Sequence, residues 1–132
     1  MRRRRRAELL LALPVWAVLG LTGCTPTGEV TSAAGRFADA VHRHDGREAC
    51  ALLADRARRS VEVTQSCAEV LPALHVQVGP PGEATVWGDR AQVRATPDTL
   101  FLARYTGGWR VTGAGCRPRG ADLPYECEIG GP

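Results

Sequence analysis

The sequence predicts an α+β domain, with helices first and an antiparallel sheet after them. Two patterns carry that reading. Before residue 72, apolar residues recur at helical spacing and are broken by Asp45-Gly46. After residue 75, short segments alternate between apolar and polar residues around the turns Gly88-Asp89 and Gly107-Gly108. Runs of helices followed by runs of strands are the pattern of segregated α+β architecture. At 132 residues the chain has room for one such domain.

The first helix is expected over Glu29 to Arg43, with Val30, Ala33, Ala34, Phe37, Ala38 and Val41 along one stripe. A second is expected over about Arg47 to Arg59, with Ala49, Cys50, Leu52, Leu53 and Ala57 apolar and arginines opposite. A third, short helix spans Ser66 to Leu71 and stops before Pro72, whose ring and missing N–H end a helix. His75 to Pro80 then alternates, with Val76 and Val78 facing one side. Ala84–Trp87 and Ala91–Ala95 flank the Gly88-Asp89 turn as a hairpin, and Thr99–Thr106 and Trp109–Thr112 flank Gly107-Gly108 as a second. In the second hairpin Leu100 and Leu102 point one way and Phe101, Ala103 and Tyr105 the other. A strand apolar on both faces is central or covered. Tyr125 to Ile129 is a last short strand.

Residues 1–23 read as a targeting segment and not as part of the domain. Arg2 to Arg6 precede an apolar run from Leu9 to Leu21, then small residues before Cys24. That run is too short for a spanning helix, which needs about 20 apolar residues. Export by a twin-arginine route is the less favoured alternative, because Glu8 stands where that signal has an apolar residue. The segment also accounts for the basic balance of the chain. It holds five of the 17 arginines and one of the 14 acidic residues, leaving 12 against 13. A nucleic-acid footprint is therefore not supported.

Leu21-Thr22-Gly23-Cys24 behind this leader resembles the bacterial lipobox. The resemblance implies a diacylglyceryl group on the Cys24 thiol, cleavage before Cys24, and a further acyl chain on its amine. It divides the chain into a signal peptide (1–23), a lipidated tether (24–28) and a folded domain (29–132), held on the extracytoplasmic face of a cell membrane. Two or three acyl chains anchor stably where one does not.

Cysteine arithmetic agrees with an exported chain. Lipidation of Cys24 leaves Cys50, Cys67, Cys116 and Cys127, an even set in an oxidising compartment. Of three connectivities, the local one, Cys50–Cys67 with Cys116–Cys127, is expected, since each pair lies within one neighbourhood of the fold. With no Cys-x-x-Cys spacing, neither a zinc site nor a redox dithiol is indicated.

The order of elements, with DGREACALL after the first helix and DTLFLARYTGGWRVTGAGCRPRG followed by PYECEIGG at the end, resembles small actinobacterial lipoproteins carrying a nuclear-transport-factor-2-like domain. That resemblance implies N-terminal helices packed on a curved antiparallel sheet around a cone-shaped cavity. It implies a fold and a location, not a reaction. The reading it favours is a non-enzymatic module that binds an envelope protein or an apolar small molecule, with no cofactor. The alternatives are a purely structural envelope protein, or an isomerase- or cyclase-like enzyme using the cone. The enzyme would need a carboxylate, Asp39 or Asp55, beside Tyr105 in an apolar cavity. Filling of the cone by Leu100, Leu102, Phe101 and Trp109 would remove it.

Other chemistry-bearing residues have plainer roles. His42-Arg43-His44-Asp45 invites a metal, but residues two apart do not share a helix face, and a histidine at a helix end complements the macrodipole. No metal is expected there. His75 has no evident partner. Trp87 and Trp109 are expected in the core. Arg56, Arg58 and Arg59 are expected on a solvated helix end, with anionic lipid headgroups as their functional alternative.

Overall fold

The computed structural model describes residues 25–132, so the expected leader, 1–23, and Cys24, where lipidation is expected, lie outside the described residues. Among the described residues four helices precede a five-stranded antiparallel sheet whose strands pair in chain order. Among the described residues no helix is long and apolar enough to cross a membrane.

Helix α1 spans Pro26–His42 and starts earlier than its apolar stripe indicates. The Thr25 hydroxyl caps it by accepting the Gly28 N–H at 3.0 Å, and Pro26 occupies the first turn, where its missing N–H costs nothing. The Thr/Pro/Gly stretch read as a tether is thus mostly helix. Val30, Ala33, Ala34, Phe37 and Ala38 are buried along one face.

The expected second helix is two helices, α2 (Gly46–Ala51) and α3 (Asp55–Val61). Between them Leu53 forms a parallel bridge with Val111 of the strand Gly108–Cys116. Leu52 and Ala54 supply the hydrogen bonds: Val111 N–H donates to Leu52 O at 2.9 Å, and Ala54 N–H to Val111 O at 2.8 Å. A backbone that satisfies a sheet edge cannot also complete a helical ladder, so the helix breaks. Helix α4 (Cys67–Val70) runs into a 3₁₀ turn at Leu71–Ala73. A capping box of Ser66 and Glu69 starts it. The Ser66 hydroxyl and N–H both donate to the Glu69 carboxylate, which holds its pKa below the ordinary value.

The alternating stretch at 75–80 is not a strand. Pro80 and Pro81 lack the N–H that a ladder needs. Val76 and Val78 are nonetheless buried on one side as the alternation indicates. The stretch is held by the buried Asp98, whose carboxylate accepts the Gln77 N–H at 2.6 Å, and by Gly79 N–H donating to Ala95 O at 2.9 Å.

Strands β1 (Ala84–Trp87), β2 (Arg90–Ala95), β3 (Asp98–Tyr105) and β4 (Gly108–Cys116) form the two expected hairpins; β2 and β3 are joined through Thr96-Pro97. Register shifts between Thr99 and Leu102 mark an irregularity in the β3–β4 pairing, a device that bends a sheet. The last strand, β5, is only Ile129–Gly130; upstream, Arg117 and Glu126 add an isolated bridge.

Cys50 is bonded to Cys67, joining α2 to α4, and Cys116 to Cys127, joining the end of β4 to the segment between Glu126 and β5. Leu100, Leu102, Val93, Val111 and Trp109 pack with Phe37 and Val30 of α1 into one core. Phe101 faces the other way and is covered by Tyr125, whose ring meets it edge-on at 5.1 Å between centroids. The four residues expected to fill a cone therefore divide between the two faces of the sheet.

Candidate functional site

A groove of about 770 Å³ runs along α2, α3 and the start of α4 to the tip of the β3–β4 hairpin. Its floor is the Cys50–Cys67 disulfide with Leu53 and Ala54. Five arginines line it: Arg47 on α2, Arg56, Arg58 and Arg59 on α3, and Arg110 on β4, against only two carboxylates, Asp55 and Glu62. The arginines of α3 are there because helical spacing sets them opposite buried Ala57 and Val61. Arg110 arrives from the sheet, its Nη1 donating to Ala51 O at the end of α2.

The charges are unequally engaged. Arg58 pairs with Glu62 at 3.1 Å and more distantly with Asp55 at 3.9 Å. Arg47, Arg56 and Arg59 are exposed and have no carboxylate within 4.0 Å among the described residues. Tyr105, half exposed, closes one end. Beyond Tyr105 the surface continues into a second depression of about 580 Å³ that shares Arg56 and adds Arg90. Guanidinium groups converging on one groove favour oxyanions, which they meet through paired N–H bonds.

A separate, more apolar groove of about 510 Å³ lies between the end of α1 and the stretch 71–79, lined by Leu71, Leu74, Val76 and Pro97. His42 borders it, with Nε2 donating to Val78 O at 2.7 Å. The neighbouring Asp45 carboxylate caps α2, accepting the Glu48 N–H at 3.0 Å. His44 is exposed at φ 54°. This segment serves chain geometry, and no cluster of three or more metal-capable side chains occurs among the described residues.

Comparison with protein-family models, curated proteins and solved structures found no match. Asp55 and Tyr105 do line one groove, but the Asp55 side chain is 81% exposed and Tyr105 50% exposed. Asp39 is exposed on α1 and lines neither groove. None of the three is buried. Trp109 is in the core as expected, whereas Trp87 is half exposed on the far face of the sheet. His75 is exposed. The sequence singles out Arg56, Arg58 and Arg59 and sets Arg47 at the start of the same expected helix; Arg110 joins them only through the fold, with no local signal marking it.

Proposed function

We propose that the chain is a lipid-anchored, extracytoplasmic interaction module of nuclear-transport-factor-2-like fold, without enzymatic activity of its own. One observation carries the anchor. Cys50, Cys67, Cys116 and Cys127 pair among themselves, which leaves Cys24, the fifth cysteine, outside both disulfides and directly behind the lipobox-like leader. Helices packed against one face of a bent antiparallel meander support the fold assignment. Close packing of Phe37, Leu100 and Leu102 between α1 and the sheet supports action through surface grooves rather than through an internal cone.

Mass spectrometry of protein extracted from membranes tests this. The expected N-terminal residue is Cys24 carrying a diacylglyceryl thioether, and Cys24→Ser releases the chain or leaves its leader uncut. An unmodified Cys24, or unchanged membrane retention of a correctly cleaved Cys24→Ser chain, overturns the reading.

A further inference from the structure

We propose that the arginine-lined groove docks on the phosphate-bearing headgroups of an anionic bilayer, so that the anchored domain lies against the membrane in one orientation. This rests on the lipid-anchor reading and adds to it the surface that faces the lipid.

Charge is the first argument. After residue 23 the chain has 12 arginines against 13 carboxylates, yet five of those arginines meet two carboxylates around this groove. Clustering of one sign on a nearly balanced chain makes a local positive field at this groove. Three of the five, Arg47, Arg56 and Arg59, are exposed and unpaired among the described residues. Each arginine that reaches an anionic surface raises partitioning about fivefold.

Placement is the second. Tyr105 pairs with Gly108, so residues 105–108 are the tip of the β3–β4 hairpin. Tyr105 and Arg110 bring the groove to that tip on one face of the hairpin. On the other face, Gly108 and Trp109 border a depression with Thr25, Gly28 and Glu29 at the start of α1. Thr25 is the residue that follows Cys24 in the chain. The point where a lipid enters the chain and the groove that selects anions thus share one end of the molecule. Arg104, stacked over Trp109 at 5.4 Å, adds another cation there. With the lipid on Cys24 inserted, headgroups stand within reach of that end and the arginines need no long tether to meet them.

The test uses the mature protein reconstituted into vesicles of phosphatidylcholine alone or mixed with phosphatidylglycerol. Modification of arginines by phenylglyoxal is mapped by mass spectrometry. Arg47, Arg56 and Arg59 should react several-fold more slowly on the anionic vesicles, and the difference should vanish at about 1 M salt, where the screening length falls to about 3 Å. Arg94, exposed on β2 away from the tip, should react equally on both. Equal rates for the groove arginines on the two vesicle types, or equal protection of Arg94, would overturn the proposal. Inorganic phosphate protecting the same arginines on neutral vesicles would assign the groove to a soluble anion instead. Protection in native membranes but on neither vesicle would assign it to an anionic protein; both outcomes overturn the lipid assignment. Should Cys24 prove unmodified, the anchor reading fails by itself, and the groove is then read by co-sedimentation of the purified chain. Retention on anionic vesicles that Arg56→Gln/Arg59→Gln lowers about 25-fold, fivefold per arginine, supports it; equal retention on neutral vesicles overturns it.

Discussion

Leu53 lies beside Val111 as if it were one residue of an additional strand, between two helices that would otherwise be one. Its side chain is buried in the core, and its neighbours on either side exchange backbone hydrogen bonds with Val111 at 2.8 and 2.9 Å. β4 is paired with β3 along one edge, while on the other β5 covers only Gly113 and Ala114. Leu52–Ala54 cover the part of that edge nearer the hairpin tip, which would otherwise present unpaired N–H and C=O groups.

Truncation at this bridge should be costly out of proportion to the size of the loop. Leu53→Ala is expected to destabilise by about 2–4 kcal/mol, the range for a buried leucine. Leu52→Ala, half-buried beside it, should cost distinctly less. Urea denaturation of both variants measures the difference; equal losses would mean that the side chain of Leu53 does not anchor the edge.

Asp98 gives a second prediction. Its side chain is fully buried and accepts the Gln77 N–H at 2.6 Å and Arg117 Nε at 3.3 Å. Asp98→Ala leaves the Gln77 N–H without its acceptor and should cost about 2–3 kcal/mol. Arg117→Ala should cost about 1 kcal/mol or less, because its guanidinium is half exposed. Thermal unfolding of the pair separates the backbone hydrogen bond from the ion pair.

The Cys50–Cys67 disulfide joins elements too short to persist alone, α2 of six residues and α4 of four. Cys50→Ala/Cys67→Ala opens a cross-link spanning 17 residues and should lower stability by about 3 kcal/mol on the loop-entropy account. Denaturant midpoints of the double variant, with the Cys116–Cys127 bond intact, are the measurement.

Gly130 and Gly88 both have positive φ, at 61° and 62°. A Cβ on Gly130 would stand 2.0 Å from Thr112 O, whereas nothing lies within 4 Å of one on Gly88. Each alanine pays about 1–2 kcal/mol for the left-handed conformation. Gly130→Ala should therefore be the more damaging by a clear margin in the same denaturation assay.

The capping box sets a pH dependence. Glu69 has a lowered pKa in the folded chain because Ser66 donates twice to its carboxylate. A depressed carboxylate stabilises the fold above its unfolded pKa, and that contribution is lost as pH falls through the folded value. Ser66→Ala should raise the Glu69 pKa toward its ordinary value, read from the carboxyl chemical shift in an NMR titration.

The helical stripe of α1, the two hairpins with their Gly-Asp and Gly-Gly turns, and the order of helices before sheet were legible in the sequence by itself, as was the local pairing of the four cysteines. These depend on periodicity, turn chemistry and short loops, all of which act between near neighbours in the chain. The split of the second helix was not legible: its apolar spacing fits a helix throughout, and only the uncovered edge of β4 outweighs that preference. The loss of a strand at 75–80 lies between the two cases, since Pro80 and Pro81 are visible locally but the hold of Asp98 is not. Arg56, Arg58 and Arg59 read as a solvated helix end for the same local reason. What makes them one side of a groove is Arg110 and Tyr105, roughly fifty residues further on, carried there by a sheet whose pairing is decided by long-range burial.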